Sequence, residues 1–233
     1  MPIAYSVVIP AYNAALTIAE TIASVMAQTV PAHDIFVVDD GSTDGTASVV
    51  AGLNGPITII NQENQGPGAA TTAGFKRVVT PLVATLDADD LWLPMKIARQ
   101  LATLDDDPGL TGVFSLARLF ADGADPDPAG DGAVRRLWTR TTLLFRTAAT
   151  REVGDLVDLP GRLGEMIDWL ARSQELGHRH VMIEEILAMR RVRAGSLSSK
   201  LDADRSRGYL LAVHKAFERR KALAAKSKAA PGS

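Results

Sequence analysis

Carboxylates are concentrated at two places in the first ninety residues of the sequence. Asp39-Asp40-Gly41-Ser42 follows one apolar run, and Asp87-Ala88-Asp89-Asp90 follows another. Because clustered carboxylates repel one another, this placement favours a role with a cation or with the hydrogen-bond donors of a ligand. Two Asp residues one position apart can present oxygens to one Mg²⁺ or Mn²⁺ whose other positions hold water and diphosphate. An isolated Asp-x-Asp also occurs in solvated turns, so the neighbouring elements must distinguish a metal site from a turn.

Short apolar runs that alternate with segments of helical periodicity surround these clusters. We expect strands over 6–9, 35–38, 57–60 and 82–86, and helices over 16–28, 46–53 and 69–79. Strands that are apolar throughout and alternate with helices predict an α/β fold, in which helices cover both faces of a mostly parallel sheet. Ligands of such sheets bind beyond the carboxyl ends of the strands, where both acidic clusters are expected.

The second half of the sequence has a less regular pattern. We expect helices over 94–104, 163–175 and 203–225, and strands over 113–120, 137–145 and 181–192. Residues 122–133 form an acidic loop rich in Gly and Pro, which is either a surface insertion or a lid over a site.

The helix expected over 163–175 has two distinct sides. Its apolar stripe, which should face the core, consists of Leu163, Met166, Ile167 and Leu170. The opposite side carries Glu165, Asp168, Trp169 and Arg172. Asp168 and Arg172 lie at i and i+4, so a surface ion pair is an alternative to a catalytic role for Asp168.

Four segments together resemble family 2 glycosyltransferases of the GT-A fold. These segments are Val8–Asn13, Ser24–Thr29, Val37–Thr46 and Leu86–Asp90. The resemblance is strong over residues 4–95 and continues more weakly to about residue 200. It implies a three-layer, Rossmann-like αβα sandwich and inverting transfer of a sugar from a nucleotide-diphosphate donor, expected to be a uridine diphosphate sugar.

The resemblance also implies roles for individual residues. Asp39 is expected to brace its turn, and the Asp40 carboxylate to accept the ring N–H of the base. Asp87 should lie near the ribose, and Asp89 should bind a divalent metal, Mn²⁺ or Mg²⁺. The full set expected to bind the nucleotide sugar is Pro10, Ala11, Tyr12, Asp39, Asp40, Gly66, Asp87, Ala88 and Arg193.

The sequence departs from the family pattern at three places. Thr71-Thr72 stand where the family usually has Arg-Asn, and Arg193 stands where a His commonly completes the metal site. Arg does not ligate a metal, but its fixed charge can hold a diphosphate. Met166 occupies the position of the usual base, so we expect Glu165 to be the general base, with Asp168 as the alternative.

Bulk composition bounds the remaining function classes. The chain has 233 residues, a net charge of −2 and no cysteine, which excludes thiol nucleophiles and gives no overall attraction to nucleic acid. No signal peptide or spanning segment is evident, so a soluble, cytoplasmic protein of unknown oligomeric state is expected. A nucleotidyltransferase, a non-catalytic nucleotide-sugar-binding protein and a partner-binding scaffold remain alternatives, with an unidentified acceptor if the chain is an enzyme.

The expected domain organisation is a GT-A domain over 1–200, followed by a basic helix over 201–226 and a disordered tail over 227–233. The GT-A domain divides into a donor half over 1–95 and an acceptor half over 96–200. The segment Lys200–Lys228 contains nine Lys/Arg and three Asp/Glu, a local charge of +6. Its apolar stripe of Tyr209, Val213 and Phe217 is expected to dock on the domain. Contact with an acidic membrane or partner is the alternative.

Overall fold

One mixed sheet with helices on both faces contains all the strands of the described residues. The computed structural model describes residues 3–160, 164–193 and 203–229. The strands are β1 Tyr5–Ala11, β2 Asp34–Asp39, β3 Ile57–Asn61, β4 Leu82–Thr85, β5 Leu91–Trp92, β6 Leu110–Ala121, β7 Val134–Arg136, β8 Leu144–Arg146 and β9 Arg179–Val192. The helices are α1 Ile18–Met26, α2 Thr46–Ala51, α3 Pro67–Phe75, α4 Lys96–Asp106, α5 Thr147–Val153, α6 Glu165–Glu175 and α7 Ala203–Ala229.

The sheet has the order β3-β2-β1-β4-β8-β6-β9-β5, and β7 pairs with the side of β6. The first four strands in this order are parallel to one another, while β8 runs antiparallel between β4 and β6. β6 and β9 are again parallel. The predicted α/β fold with a mostly parallel central sheet and helices on both faces is therefore confirmed, and both predicted halves contribute strands to the same sheet.

Successive residues of β1 supply the cores on the two faces of the sheet. Val7 and Ile9 pack in one apolar cluster with α1 and α4, and Val8 packs in the other with α3 and α6. Because alternate side chains of a strand point to opposite faces, a strand buried on both faces must be apolar at every position.

The strand expected over 137–145 is wrong for most of its length, because a 3₁₀ turn occupies Arg140–Thr142 and only Leu144 and Phe145 of the segment lie in a strand. β7 precedes the turn and β8 follows it. The polar run Thr139–Thr142 turns four successive carbonyls, those of residues 140–143, away from the regular ladder. Buried side chains satisfy each of them: Thr85 Oγ1 to Arg140 O at 2.8 Å, Trp92 Nε1 to Thr141 O at 2.8 Å, Gln100 Nε2 to Thr142 O at 2.8 Å and Lys96 Nζ to Leu143 O at 3.4 Å.

Lys96 is the most unusual of these buried donors because its side chain carries an ionisable amine and is fully buried. Its ammonium nitrogen also donates to Gln100 Oε1 at 2.8 Å and lies 4.1 Å from the centre of the Trp92 ring. Burial lowers the pKa of the Lys96 amine well below its ordinary value. The buried lysine therefore lowers stability at neutral pH, while its hydrogen bonds help to hold the 3₁₀ turn.

Lys96→Met should remove a pH dependence of stability. The unfolded state binds the Lys96 proton up to the ordinary pKa of about 10.4, while the folded state releases it at lower pH. Between those two values the parent's free energy of unfolding therefore rises with pH, and the variant should lack this rise. Thermal unfolding from pH 6 to pH 10 measures the difference. A gap in melting temperature between variant and parent that stays constant over this range would contradict the prediction.

The rotation of α6 differs in part from the prediction. Met166 and Leu170 are buried as expected, but Ile167 is 38% exposed and Trp169, assigned to the polar side, is fully buried. Leu163 lies outside the described residues. The reason is that α6 is covered on two sides, by the sheet core and by α7, so Glu165 and Asp168 are buried as well.

α7 packs on α6, but through a side rotated by about 100° from the one expected, because the two sets of residues are offset by one position. Gly208, Ala212 and Ala216 are buried, whereas Tyr209, Val213 and Phe217 are exposed. The expected docking stripe is therefore wrong. The helix also continues through Ala229, beyond the boundary expected at 226, and residues 230–233 lie outside the described residues. Within the described ranges, no helix combines the length and apolar character needed to cross a bilayer.

The acidic loop over 122–133 packs back on β6. The Arg118 guanidinium donates to the carbonyls of Pro128, Gly130 and Gly132. This arrangement favours the surface insertion over the lid.

Candidate active site

The two acidic clusters meet at the carboxyl edge of the parallel strands. β1 lies between β2 and β4, and Ala11 at its end is in register with Asp39. The Asp40 amide donates to Ala11 O at 2.8 Å, and the Leu86 amide donates to Val8 O at 3.1 Å. The ends of the three strands are thereby joined, and the residues after them face one region.

The residues expected in the nucleotide pocket lie at this edge with different exposures. Pro10, Ala11 and Ala88 are buried, while Tyr12 is 51% exposed and available to a ligand. The Ala88 carbonyl accepts hydrogen bonds from Thr17 Oγ1 at 2.9 Å and Thr21 Oγ1 at 3.0 Å. Helix α1 thus fixes the backbone of the Asp87–Asp90 loop.

Asp39 and Asp40 hold the turns beside the pocket. Asp39 Oδ1 accepts the Ser42 amide at 3.0 Å, which closes its own turn. Asp40 accepts Gln62 Nε2 at 2.7 Å, the Gln65 amide at 2.9 Å and the Gly66 amide at 2.8 Å. A carboxylate has about four acceptor positions, so Asp40 retains one for a ligand. Its role in base recognition stays a prediction, and its observed contacts order the β3–α3 loop.

Gly66 lies where this loop meets a third carboxylate, Asp158. Its backbone has φ 105°, and an added Cβ would lie 2.8 Å from the Asp158 carboxyl group. Asp158 accepts the amides of Gly68 at 3.0 Å and Ala69 at 2.8 Å, so it caps the start of α3. Thr72, one of the two threonines that replace the family's usual Arg-Asn, accepts a hydrogen bond from the Leu156 amide at 2.9 Å. The segment containing Leu156 and Asp158 is therefore fastened to α3.

Arg140 connects the donor-side and acceptor-side carboxylates. Its Nε donates to Asp87 Oδ1 at 2.7 Å, and its Nη1 pairs with Glu165 Oε1. The side chains of Arg140 and Glu165 are 12% and 6% exposed, so the pair is largely shielded from water. Burial acts to lower the pKa of Arg140, but the charges and hydrogen bonds of Asp87 and Glu165 outweigh it and raise that pKa. The guanidinium is thus a permanent cation between two acids.

Asp90 connects the Asp87–Asp90 loop to the same 3₁₀ turn and to β9. Its carboxylate accepts Thr141 Oγ1 at 2.5 Å and the Arg191 amide at 2.8 Å. Burial first, and then the charges of Asp89 and Asp87, raise the pKa of Asp90 well above its ordinary value. Arg191 in turn donates to Asp89 O at 3.0 Å, so the loop is held from both sides.

Asp89, the expected metal ligand, is paired with Arg193. Arg193 Nη2 lies 2.7 Å from Asp89 Oδ2. Burial and the charge of Asp87 raise the pKa of Asp89, and the Arg193 charge opposes that rise. In residues 3–160, 164–193 and 203–229, no group of three or more His, Asp or Glu is arranged to hold a metal ion. These residues do not fit a metal while Arg193 holds Asp89, because the guanidinium already supplies the cation.

Asp168 serves the contact between α6 and α7 rather than the site edge. Its two oxygens accept Arg172 Nε at 3.1 Å and Arg219 Nη1 at 2.8 Å. Arg219 also donates to Glu175 Oε2 at 2.7 Å. The ion pair predicted for Asp168 and Arg172 is present, although it is buried, and it favours the structural alternative over catalysis.

Sequence reasoning missed Arg140, Thr141 and Asp158 as parts of the site. One local signal was available, because Thr139–Thr142 is a polar run inside an otherwise apolar segment. No local signal marked Asp158, whose partner amides lie 89 and 90 residues earlier in the chain.

Comparison with known proteins identifies the family. The model of glycosyl transferase family 2 matches residues 6–126, just over half of the 233 residues. The chain belongs to glycosyl transferase family 2. This match confirms the predicted family and includes both acidic clusters.

Two curated relatives illustrate how far the likeness extends. The succinoglycan biosynthesis protein ExoU of Rhizobium meliloti is 31% identical over 216 residues, which cover 82% of this chain and 63% of the relative. An uncharacterized glycosyltransferase, alr2836 of Nostoc sp., is 45% identical over 98 residues, which cover 40% of this chain and 30% of the relative. The chain thus spans less than two thirds of the length of either protein.

Solved structures confirm the GT-A type fold of this family 2 member. S. aureus TarS 1-349 in complex with UDP-GlcNAc aligns with a TM-score of 0.65 at 19% identity, covering 85% of this chain and 62% of that one. The mannosyltransferase PcManGT from Pyrobaculum calidifontis, in complex with GDP-Man and Mn²⁺, aligns with a TM-score of 0.65 at 20% identity, covering 84% and 59%.

Arg140→Met should destabilise this family 2 protein by about 3–5 kcal/mol, because it leaves Asp87 and the buried Glu165 without their shared cation. Arg136→Met is the matched control, since Arg136 pairs with Glu184 while both side chains are more than half exposed. The control should cost less than about 1 kcal/mol. Urea unfolding at pH 7 measures both free energies. Equal losses of unfolding free energy in the two variants would contradict the prediction, because the Arg140 ion pairs would then stabilise the fold no more than an exposed pair does.

Proposed function

We propose that the chain transfers a hexose or similar sugar from a uridine diphosphate sugar to an acceptor hydroxyl, with inversion at the anomeric carbon. The observation that carries this proposal is the Asp87–Arg140–Glu165 arrangement at the carboxyl edge of the sheet. One guanidinium joins the carboxylate expected beside the ribose to the carboxylate expected beside the acceptor. In-line displacement requires the two substrates to be held in a fixed relation across one carbon, and this arrangement supplies fixed groups for both.

The donor class is supported by the edge itself and by two similar structures. Both TarS and PcManGT were solved with a nucleotide-diphosphate sugar, and both share this fold. In this chain, Tyr12 is exposed beside the buried Ala11, and Asp40 keeps one acceptor position for a base N–H. Uridine is the base implied by the family resemblance, and a cytoplasmic location belongs to the same proposal.

Arg193 is the residue proposed to meet the negative charge of the leaving diphosphate. It is 32% exposed and bound to Asp89 at 2.7 Å, in the position where the family resemblance placed a metal. A guanidinium binds two phosphate oxygens at once and keeps its charge at every working pH. Divalent metal at Asp89 stays a prediction, which requires Arg193 to release that carboxylate.

Glu165 is proposed as the general base. The acceptor oxygen attacks the anomeric carbon, the bond from that carbon to the diphosphate oxygen breaks, and the hydroxyl proton passes to Glu165. Arg140 fixes the Glu165 carboxylate beside Asp87, so the proton acceptor has a defined position relative to the donor. Asp168 is unsuited to this role because both of its oxygens already accept hydrogen bonds from arginines.

Glu165→Gln should lower turnover by about 10²–10⁴-fold and leave donor affinity nearly unchanged, because an amide keeps the acceptor oxygen for Arg140 but takes up no proton. Sugar transfer at saturating acceptor and the binding of uridine diphosphate are the two measurements. Glu184→Gln, in the exposed pair with Arg136, is the matched control and should retain parental turnover.

Asp168→Asn provides the comparison within α6. It should lower stability through the contact with α7 and slow turnover less than Glu165→Gln does. A larger loss of turnover in Asp168→Asn, at a temperature where both variants are folded, would move the base to Asp168.

Uridine diphosphate should bind with an affinity that does not depend on Mn²⁺, and Arg193→Ala should lose most of that affinity. The physical reason is that a charge-assisted bond to phosphate is worth about 1.5–3 kcal/mol, roughly a factor of ten to a hundred. Calorimetric titration with and without Mn²⁺ checks both statements, and Arg190→Ala, three residues earlier and within β9, is the control. Binding that appears only with Mn²⁺ and survives Arg193→Ala would restore the metal site at Asp89.

Non-catalytic binding of a nucleotide sugar is the second candidate function. Two observations favour it: Met166 at the family's base position lies in the core, and the nearby acids Glu165 and Asp168 are both paired with arginine. Donor binding without transfer or hydrolysis, across a panel of acceptors, would establish this alternative. Loss of turnover in Glu165→Gln excludes it.

A further inference from the structure

The C-terminal helix α7 has an inward side made of small residues. Gly208, Ala212 and Ala216 recur every four residues and are buried against α6. The approach is close, because a Cβ added at Gly164 would lie 2.9 Å from the Gly208 carbonyl oxygen. Arg219 extends the same side through its ion pairs with Asp168 and Glu175. Packing and ion pairs together fix the rotation of α7 about its axis.

The outward side of α7 is formed by large apolar residues. The exposed fractions are 39% for Tyr209, 70% for Leu210, 57% for Val213 and 63% for Phe217. The spacing i, i+1, i+4, i+8 places all four on one side of a helix. Contiguous exposed apolar side chains on a polar protein surface mark an interaction site rather than a random exposure.

Cations border this apolar side. Lys221 follows Phe217 by four residues, so it lies one turn further along the same side, and Arg207 precedes Leu210 by three. Arg220 is turned toward α6, where its guanidinium donates to Gln174 Oε1 at 3.2 Å. Glu218 is the only acid between residues 207 and 222. The whole chain has a net charge of −2, so the positive charge of this helix is local.

We propose that the outward side of α7 binds an anionic lipid surface, with the helix lying in the plane of the membrane. Tyr209, Leu210, Val213 and Phe217 enter the boundary between headgroups and acyl chains, and the flanking cations meet the lipid phosphates. A second copy of the chain fits this side less well, because antiparallel pairing of two such sides sets Arg207 of one copy near Lys221 of the other, and parallel pairing sets the two Lys221 residues together.

Co-sedimentation with vesicles tests the proposal on the 233-residue chain. The chain should bind phosphatidylcholine vesicles that contain phosphatidylglycerol and bind pure phosphatidylcholine vesicles at least tenfold more weakly. Leu210→Ser combined with Phe217→Ser should abolish binding, and Val79→Ser, at a 79% exposed site away from α7, should not change it. Lys221→Glu should weaken binding at least about fivefold, since each cation near an anionic leaflet is worth about that factor. Lys215→Glu, on a different side of α7, is its control.

Two results would overturn the proposal. The first is parental protein that stays in the supernatant with anionic vesicles at low salt. The second is concentration-dependent dimerisation that Leu210→Ser with Phe217→Ser removes, which would assign this side to a second copy. Because the replaced side chains are exposed, the variants should keep the parental melting temperature. Should the double variant unfold, Val213→Trp in the otherwise parental chain gives an independent readout, because its fluorescence must be quenched by brominated lipid.

Discussion

The arrangement of the candidate site depends on one buried cation, the Arg140 guanidinium between Asp87 and Glu165. A buried arginine is costly unless carboxylates compensate its charge. Here the two carboxylates come from different elements of the fold. Asp87 follows β4 and Glu165 opens α6. The pairing therefore specifies how the parallel half of the sheet and the helix of the acceptor side lie relative to each other.

Arg140 can hold this position because buried side chains hydrogen-bond to the backbone of the 3₁₀ turn that contains it. Thr85, Trp92 and Gln100 each donate to one carbonyl of the 3₁₀ turn at 2.8 Å. These donors come from the end of β4, from β5 and from α4, so the turn is tied to the first half of the chain. The same design recurs at α7, where Arg219 joins two carboxylates of α6. In both places one arginine joins two carboxylates that are distant from it in the sequence.

Sequence patterns predicted the elements whose burial is the same along their whole length. β1, β2 and β4 are apolar at nearly every position because both faces are covered, so their limits were expected to within about two residues. The acidic clusters were also expected at one edge, since they follow parallel strands. The ion pairs of Arg140 were not predicted, because its partners lie 53 and 25 residues away and no local sequence pattern indicates them. The docking side of α7 was predicted wrongly for another reason. Two sets of residues, one small and one large, have the same helical periodicity: Gly208, Ala212 and Ala216, and Tyr209, Val213 and Phe217. Only the close approach of α6 favours the smaller set.

A double-mutant cycle on Asp87 and Glu165 tests the central role of the shared cation most directly. The free energies of unfolding of Asp87→Asn, Glu165→Gln and the combined variant are compared with the parent. Either single change leaves Arg140 one carboxylate, whereas the combination leaves a buried guanidinium without any. The combined loss should therefore exceed the sum of the single losses by about 1 kcal/mol or more. Losses that add within about 0.5 kcal/mol would contradict the account, because two acids that share one buried cation cannot act independently.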